Sequence, residues 1–304
     1  MNFQQLRCVR EIVQQNFNLT QAAHALFTSQ PGVSKMVLDL ENQLGFNVFL
    51  RHGKRIKGLT KEGEQIYPFI EKVLQNMADL KEKAAECRNP HIGRLTIATT
   101  HTQARYVLPA VMMAFRTRYP EVRLSLLQGA PSQIAQMVLS GQADIAVATE
   151  SISDTQGLQA TPCYTWQHQI LLPKNHPLTQ LPKMSIEQLA RYPLVTYDPA
   201  FAGRTKIDRA FVNAQVTPDI VLEAIDADVI RTYVEVGMGI GILSGLALES
   251  MKDNLNTSNL TTINAGDLFG LNTTFVAVRE DRFLREFEHV FIDLLIHKTP
   301  KLLS

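Results

Sequence analysis

Hydrophobic positions change their spacing along the chain, and these changes divide its 304 residues into three parts. Over residues 1–60 apolar side chains recur every three or four positions, which predicts short amphipathic helices. One longer helical pattern runs over residues 61–90, and from Gly93 short apolar runs alternate with helical patterns. Such alternation is typical of β–α–β units, in which helices cover a parallel sheet. We therefore expect a small helical domain, a linking helix and an α/β domain over residues 91–304.

Three short helices are predicted before residue 45. Asn2, Thr20 and Ser29 are suitable N-caps for the first, second and third helices. Pro31 is tolerated in the first turn of the third helix, where its missing N–H has no intrahelical partner. The apolar positions of the third helix step by four, three and four, at Val33, Val37, Leu40 and Leu44. Two short helices joined by a polar turn predict a helix-turn-helix, whose second helix offers its first turn to the major groove of DNA.

Polar and basic side chains occupy the early face of the third helix, opposite its apolar positions. Gln30 and Ser34 can hydrogen-bond base edges or phosphates, and Lys35 can meet guanine or phosphate. Residues 48–55 predict a short basic hairpin, or wing, whose arginines would contact phosphate. The predicted DNA contacts are Thr20, Thr28, Ser29, Gln30, Pro31, Ser34, Lys35, Arg51, Lys54 and Arg55. Each of them alone also fits a solvated surface position, so the interpretation depends on their combination.

The charge distribution favours a polyanionic partner for the amino-terminal domain alone. Residues 1–60 hold seven Lys or Arg and three acidic residues, a net charge of +4, whereas the whole chain carries +1. A domain of this charge also fits an ordinary solvated surface, so charge by itself favours DNA only modestly.

Composition argues against several other classes of protein. No apolar run approaches the ~20 residues of a membrane span, and the polar positions near the start do not form a secretory signal. The three cysteines lie far apart and fit no zinc-binding spacing. We therefore expect a cytoplasmic chain with reduced thiols, no metal site and no association with a membrane.

The linking helix carries a heptad pattern. Its apolar positions step by four, three, four, three and four, at Ile66, Ile70, Val73, Met77, Leu80 and Ala84. Such a seam predicts a helix that pairs with a second copy of itself. The alternative is an amphipathic helix packed on its own domain. We favour pairing, because two copies of a winged module meeting two half-sites gain specificity that one copy lacks.

The α/β domain contains two similar sets of elements. Strands are predicted at residues 95–99, 122–126 and 145–148, then at 170–172, 194–196, 220–222 and 240–243; the strand at 274–278 and the helix at 281–297 return to the first set. We expect one lobe over about residues 91–163 and 268–304 and another over about 164–267. Two such lobes joined by crossing strands form a cleft at the carboxyl ends of the strands, where ligands usually bind. This is the build of a periplasmic binding protein.

Hydroxyl and amide side chains gather where the strands end at the cleft. Thr100, Thr102 and Gln103 follow the first strand, and Thr149 ends the third. Together with the free N–H groups of a helix start, they suit a small anion. Phe201-Ala202-Gly203-Arg204 precedes another helix and could form a facing nest. A lone threonine at a strand end is more often a cap, but the cluster favours a ligand site.

The amino-terminal segment resembles the winged helix-turn-helix of the LysR-type transcriptional regulators. The resemblance lies in Ala22-Ala23, Leu26, Ser29-Gln30-Pro31, Val33-Ser34, Leu40-Glu41, Leu44-Gly45, Phe49 and Arg51. The effector segments are similar to the CysB branch of that family, at residues 98–106, 128–129, 148–150, 193–197 and 226–230. The resemblance implies a homodimer or homotetramer on double-stranded promoter DNA, with RNA polymerase as a further partner. It also implies control of sulfur assimilation and cysteine synthesis.

The same resemblance implies an effector and a set of contacts, with no other cofactor. The effectors are N-acetylserine or O-acetylserine, sulfate and thiosulfate. The predicted ligand contacts are Thr100, His101, Thr102, Gln103, Thr149, Trp166, Thr196, Phe201, Ala202, Gly203, Arg204 and Asp226. CysB-like proteins usually carry threonine before Gly203-Arg204, and this chain has Ala202. Since a hydrogen bond contributes a net ~0.5–1.5 kcal/mol, we expect weaker sulfate binding, and the identity of the effector stays open.

Other functions remain as alternatives. A LysR-type regulator could answer to a different small anion or amino-acid derivative. An enzyme could use Asp144 with Glu150, or His101 with Ser125, but no nucleophile, zinc or phosphate-loop motif accompanies them. A transport binding protein would need an export signal. We therefore expect a ligand-responsive regulator and not an enzyme.

Overall fold

A computed structural model describes residues 1–53, 55–149, 152–201, 203–250 and 258–297 of the chain. The chain divides into two units, Met1–Arg88 and Asn89–Ser304. The predicted fold class is confirmed, since the first unit contains a winged helix-turn-helix and the second is a two-lobed α/β domain. Within the described ranges, no helix combines the length and the apolar character that crossing a membrane requires.

The first unit consists of four helices and a hairpin in its described part. They are α1 (Phe3–Gln14), α2 (Leu19–Ala25), α3 (Gln30–Leu44), β1 (Phe49–His52), β2 (Arg55–Leu59) and α4 (Lys61–Arg88). Asn2 caps α1 and the Ser29 hydroxyl caps α3, as predicted. Gly45 ends α3 in the left-handed region with φ 80°, which glycine adopts at little cost. The core residues Val9, Ile12, Val33, Val37 and Leu40 are fully buried.

The predicted cap of the second helix was wrong. The Asn18 side-chain oxygen accepts hydrogen bonds from the backbone N–H groups of Thr20 (3.0 Å) and Gln21 (3.1 Å), so Asn18 is the N-cap and α2 begins at Leu19. Asn and Thr are both good caps, and here Asn18 satisfies two otherwise unpaired donors. Thr20 therefore lies within the first turn, where its side chain is exposed.

The apolar positions of α4 face two directions, which corrects the predicted seam. Ile70 and Leu74 are buried in the core of their own unit, and Ile66, Tyr67 and Met77 pack against that core. A neighbouring stripe is exposed to solvent, with exposed fractions of 69% for Phe69, 42% for Val73 and 70% for Leu80. The first stripe therefore packs on its own unit, as the alternative interpretation predicted. Pairing with a second copy, through the exposed stripe Phe69, Val73 and Leu80, remains a prediction.

The second unit contains alternating strands and helices. Its elements are β3 (Gly93–Thr99), α5 (His101–Tyr106), α6 (Leu108–Arg118), β4 (Val122–Gln128), α7 (Pro131–Leu139), β5 (Ile145–Thr149), β6 (Leu158–Pro173), a 3₁₀ helix (Pro177–Gln180), α8 (Ile186–Leu189), β7 (Leu194–Tyr197), α9 (Arg204–Asn213), β8 (Ile220–Ala224), α10 (Ala227–Glu235), β9 (Ile240–Ser244), α11 (Gly245–Ser250), β10 (Leu260–Asn264), α12 (Gly266–Phe269), β11 (Leu271–Arg279) and α13 (Glu286–His297).

The described strands of this unit form a continuous sheet in the order β4-β3-β5-β11-β6-β9-β7-β8, and β10 also pairs with β6. Strands β3, β4 and β5 are parallel, as are β7, β8 and β9. The long strand β6 joins the two lobes: its residues 158–167 pair with β11, whereas residues 168–173 pair with β9 and β10. The cleft lies where these strands cross.

Helices cover both faces of the sheet in each lobe. In the first lobe α6 and α13 bury Phe115 and Phe291 on one face, and α7 buries Ile134 on the other. In the second lobe α9 buries Phe211 on one face and α10 buries Ile230 on the other. The parallel strands are therefore buried on both faces, which explains their continuous apolar runs.

The sequence predicted only residues 170–172 of the 16-residue strand β6. Its first part contains Pro162, which argues against a strand, and several polar side chains that interrupt the apolar run. Strand β10 was not predicted, and β11 begins three residues before the predicted position 274. These segments are set by pairing between distant parts of the chain, which local patterns do not record.

Candidate functional site

The first unit presents its predicted DNA contacts at the surface. Thr28, Ser29, Pro31 and Lys35 are exposed along the first turns of α3 and the turn before it, and Ser34 is half-buried. The Gln30 side-chain amide donates a hydrogen bond to the Ser34 hydroxyl at 3.0 Å, so both groups point outward from the same face of α3. Lys54 lies outside the described residues.

Three of these residues line one surface recess of about 450 Å³. Thr20 comes from α2, Gln30 from α3 and Arg55 from the wing, and Asn18 lies beside them. Residues far apart in sequence thus offer hydroxyl, amide and guanidinium donors to one concave surface. Such a set suits a phosphate backbone together with a base edge.

Arg51 has a structural partner that the sequence did not predict. Its guanidinium lies 2.9 Å from the carboxylate of Glu41, a side chain in α3 that is almost fully buried. The same carboxylate accepts hydrogen bonds from the backbone N–H groups of Val48 (2.8 Å) and Phe49 (3.1 Å). Glu41 therefore fixes the start of the wing to α3. A contact of Arg51 with phosphate remains a prediction.

A cavity of about 510 Å³ lies in the second unit between the two lobes, and we call it the cleft cavity. It is lined by Pro131, Ser132, Thr149, Asp154, Pro199, Ala200, Phe201, Gly203, Thr205, Lys206, Arg209 and Asn272. Thr149, Phe201 and Gly203 are among the predicted ligand contacts. Ser132, Lys206, Arg209 and Asn272 were not predicted, although Lys206 and Arg209 follow the predicted nest at helical spacing.

The electrostatics of the cleft cavity favour an anion. Lys206 and Arg209 contribute two positive charges and Asp154 one negative charge to the lining. The amino-terminal ends of α7 and α9 also reach the cavity, through Ser132 and Thr205. Free N–H groups and the positive end of the helix dipole stabilise negative charge at such ends. The Lys206 ammonium also donates a hydrogen bond to the backbone carbonyl of Leu271, which holds it near the strand that carries Asn272.

A row of buried polar side chains lies behind the cavity. The Gln103 amide donates to the Thr274 hydroxyl at 3.3 Å, and the Trp166 indole N–H donates to the same hydroxyl at 3.2 Å. The Tyr164 hydroxyl donates to the side-chain oxygen of Gln103, and burial raises the pKa of Tyr164 above its usual value. Thr274 pairs in register with Thr149, so this row adjoins the cavity wall. Gln103 and Trp166 were predicted here, whereas Tyr164 and Thr274 were not.

The other predicted ligand contacts near α5 are Thr100, His101 and Thr102, and their surroundings differ. Thr100 and Thr102 are buried, and the Thr100 hydroxyl has no hydrogen-bond partner among the described residues. His101 Nδ1 lies 3.2 Å from the side-chain oxygen of Gln128. His101 also has a ring nitrogen within 4.8 Å of carboxylate oxygens of Asp226 and Asp228.

That histidine–aspartate group does not establish a metal site, because Asp228 already has a cationic partner. The Arg105 guanidinium lies 2.5 Å from the Asp228 carboxylate. Asp226 caps α10 by accepting a hydrogen bond from the backbone N–H of Val229 at 2.8 Å. Both carboxylates are therefore engaged in contacts within the protein.

Thr196 and Arg204 also have partners within their own lobe. The Thr196 hydroxyl donates to the carbonyl of Ile242 at 3.0 Å. The buried Arg204 guanidinium pairs with Asp208 at 2.7 Å and Glu223 at 2.8 Å. Their roles as ligand contacts remain predictions, since the structure shows each of them bonded to other residues of its own lobe. Ala202 lies outside the described residues.

Of two buried residues that the sequence did not predict, Asn272 lies in the cavity wall and His168 contacts it. Asn272, fully buried, lines the cavity, and its side-chain nitrogen lies 3.3 Å from His168 Nδ1. Burial, with a contribution from the positive charge of Lys206, lowers the pKa of His168 to about 3. Gly203 packs on this ring: a Cβ at Gly203 would lie 2.5 Å from His168 Nε2. The alternation of residues 164, 166 and 168 along β6 is the one sequence signal that could have found His168.

Two family models match the chain. "Bacterial regulatory helix-turn-helix protein, lysR family" matches residues 3–64, and "LysR substrate binding domain" matches residues 88–300. The two matches together include both surfaces described above.

Curated relatives match along nearly the whole length. The HTH-type transcriptional regulator CysB of Burkholderia cenocepacia is 50% identical over 97% of this chain and 93% of that protein. The regulator SsuR of the same organism is 46% identical over 97% and 94%. The regulator Cbl of Escherichia coli is 42% identical over 97% and 92%.

Solved structures match as well. The cofactor-binding domain of the Cbl transcriptional regulator has a TM-score of 0.64 and 41% identity, and the match covers 69% of this chain and 92% of that domain. Full-length OxyR from Pseudomonas aeruginosa has a TM-score of 0.70 and 19% identity over 98% of both chains. Full-length BenM has a TM-score of 0.59 and 19% identity over 99% and 98%. At such identity the last two show similarity of fold alone.

Proposed function

The chain belongs to the LysR-type family of transcription regulators, and from that premise we propose that it controls sulfur-assimilation and cysteine-synthesis genes in response to a small anion bound in the cleft cavity. Regulators of this family bind promoter DNA and small-molecule effectors and are oligomeric. The matched proteins are transcription regulators, so the prediction that the chain is a regulator and not an enzyme is confirmed.

The observation that carries the anion proposal is the lining of the cleft cavity. Among the described lining residues, two cationic side chains, Lys206 and Arg209, oppose one carboxylate, that of Asp154. Hydroxyl groups of Ser132 and Thr149 lie on the facing lobe. An anion placed among them gains charge-assisted hydrogen bonds and favourable helix ends from both lobes, and this would hold the lobes together around it.

The similarity to CysB, SsuR and Cbl supports a link to sulfur metabolism. We propose N-acetylserine, O-acetylserine, sulfate and thiosulfate as the effectors to test. A different small anion or amino-acid derivative is the alternative, since Ala202 removes a hydroxyl that CysB-like proteins usually have. A cavity of about 510 Å³ has room for all of these ligands.

In the first unit, we propose that Gln30 and Ser34 contact base edges and that Lys35 and Arg55 contact phosphate. Gln30, Lys35 and Arg55 are exposed on one unit and Ser34 is half-buried beside Gln30, which supports this assignment. The exposed stripe of α4 supports a homodimer, and a homotetramer and recruitment of RNA polymerase complete the proposal.

Calorimetric titration of the full-length protein with the four candidate effectors tests the anion site. We expect saturable heat with at least one effector and at least a ten-fold loss of affinity in Lys206→Met, because a buried anion loses a charge-assisted partner. Lys183→Met, an exposed lysine that does not line the cavity, is the matched control. Unchanged affinity in Lys206→Met would refute the cavity as the site.

A DNA-binding titration tests the regulatory step. We expect the fluorescence anisotropy of labelled promoter fragments from sulfur-assimilation genes to give tighter binding than random duplex of the same length. The effector that binds in calorimetry should change that affinity or the mobility of the complex. No preference for any such fragment, with and without effector, would contradict the proposed gene set.

A further inference from the structure

We propose that Asn272 selects among anions in the cleft cavity: its side-chain oxygen accepts a hydrogen bond from an N–H or O–H group of the bound anion, and His168 holds the amide in that orientation. This inference rests on the proposed function, because it assumes that the cavity binds the effector. It assigns the ligand a second chemical requirement beyond negative charge.

The Asn272 side chain has one hydrogen-bonding group without a partner among the described residues. The residue is fully buried and lines the cavity. Its side-chain nitrogen faces His168, whereas its side-chain oxygen has no hydrogen-bond partner among the described residues. Buried carboxamide oxygens are almost always paired in folded proteins. A ligand that enters the cavity and displaces the groups now covering this oxygen would supply the missing donor.

His168 is immobile. Its ring lies between Trp166 and Phe269, with centroid distances of 5.1 Å and 5.6 Å, and Gly203 packs against its Nε2 edge. The ring is fully buried and stays neutral near pH 7. We assign the contact as donation from the Asn272 side-chain nitrogen to Nδ1, so the neutral ring carries its hydrogen on Nε2, which has no hydrogen-bond partner among the described residues. In this assignment the ring fixes the amide with its nitrogen toward His168 and leaves its oxygen for a ligand.

Lys206, Arg209 and the two helix ends bind the negatively charged group of the ligand. Asn272 can therefore bind a different part of the ligand. Sulfate and thiosulfate dianions carry no hydrogen near neutral pH, and they cannot satisfy a carboxamide oxygen. An oxyanion that also carries an amide, ammonium or hydroxyl hydrogen can pair with the cationic side chains and also donate to the Asn272 oxygen. The cavity is therefore matched to bifunctional anions.

Two probe anions separate this idea from simple charge recognition. Methanesulfonate and sulfamate have the same charge and nearly the same size, but only sulfamate carries N–H groups. Binding to the full-length protein can be followed by calorimetry and by the fluorescence of its single tryptophan, Trp166, which neighbours His168. We expect the wild type to bind sulfamate about five-fold more tightly or better, the ratio that one added hydrogen bond supplies.

Variants assign the preference to the two residues. Asn272→Leu keeps the volume and removes the acceptor, so the ratio of sulfamate affinity to methanesulfonate affinity should fall to about one. His168→Phe keeps the shape but releases the amide, and should reduce the preference. Lys206→Met should weaken both probes while the ratio stays unchanged. The ratio in the wild type is informative even if Asn272→Leu does not fold.

The outcomes are distinct. Equal binding of both probes by the wild type, a preference for methanesulfonate, or a sulfamate preference that survives in Asn272→Leu would each overturn the role of Asn272 and leave the anion site standing. Binding of neither probe, together with no binding of the four candidate effectors, would overturn the anion site and this inference with it.

Discussion

The two units of this protein display their functional side chains in opposite ways. In the first unit the candidate DNA contacts are mostly exposed, and seven of the ten predicted lie in one short stretch, residues 20–35. In the second unit the row of polar side chains behind the cleft cavity is buried and comes from distant positions, whereas Ser132, Asp154 and Arg209 in the cavity lining are exposed. The hydrogen bond between Gln103 and Thr274, for example, joins residues 171 positions apart.

This difference follows from what each surface binds. A phosphate backbone is met at the protein surface, where each contact is solvated and acts almost independently of the others. A small effector is enclosed, so every buried polar group must be satisfied by a neighbour or by the ligand. Substitutions should therefore have separable effects on the first unit and coupled effects in the cleft.

The largest effect is expected from the exposed stripe of α4. Leu80→Glu places a charge in the stripe Phe69, Val73 and Leu80 and should separate paired copies. Because two DNA-binding units joined together gain about 10²–10⁴ in apparent affinity, separation should weaken promoter binding by a similar factor. Analytical ultracentrifugation and anisotropy titration measure the two consequences. Ala78→Glu, also exposed but on another face of α4, is the control. A Leu80→Glu protein that keeps its oligomeric state would contradict the assignment.

Glu41 is the exception within the first unit, because its carboxylate is buried. Glu41→Ala leaves the backbone N–H groups of Val48 and Phe49 without an acceptor, and should lower the free energy of unfolding of this unit by about 3 kcal/mol. Hydrogen exchange should become faster at those two amides. Arg51→Ala is the matched control: it removes the ion pair but keeps both backbone hydrogen bonds to the Glu41 carboxylate, so its loss should be smaller than that of Glu41→Ala. Equal losses in both variants would show that Glu41 is not the anchor of the wing.

The same contrast explains what the sequence could predict. Asn2 and Ser29 were identified because capping chemistry is local. The sequence predicted that Thr149 and Gly203 lie at the cleft, because clefts in α/β domains form where strands end and helices begin. Asn272 and His168 were missed because they meet only through the pairing of β6 with β11.

Local patterns also left one choice open. The spacing of apolar residues predicted α4. The same spacing fits a helix that pairs with a second copy and a helix that packs against its own unit. The structure separates Leu74, which is buried, from Leu80, which is exposed, although both are leucines on one amphipathic helix. The choice depends on where α1 to α3 lie, and that is not encoded within α4.

The buried His168 makes the second unit sensitive to acid. Its pKa is about 3 in the folded protein, against about 6.5 in an unfolded chain. Between these values the unfolded state binds one more proton than the folded state, so stability falls as pH falls below 6.5. At pH 5 the loss from this residue is about 2 kcal/mol relative to pH 7.5.

Urea unfolding followed by Trp166 fluorescence at pH 7.5 and pH 5 measures this loss. His168→Gln removes the titrating group and should reduce the difference between the two pH values by about 2 kcal/mol. His52→Gln, an exposed histidine of the first unit, should leave the difference unchanged. An unchanged difference in His168→Gln would mean that His168 is protonated as readily in the folded state as in the unfolded chain.

The smallest effect is expected from a single phosphate contact, and it tests the independence of the exposed residues most directly. Lys35→Ala should weaken binding to specific and random duplex by the same factor, because phosphate contacts carry no sequence information. The slope of log K against log salt should fall by about 0.9, the value for one phosphate contact. Lys72→Ala, exposed on α4, is the control. Loss of affinity for the specific duplex alone would place Lys35 on a base edge, and Arg55 would then be the better candidate for the phosphate contact.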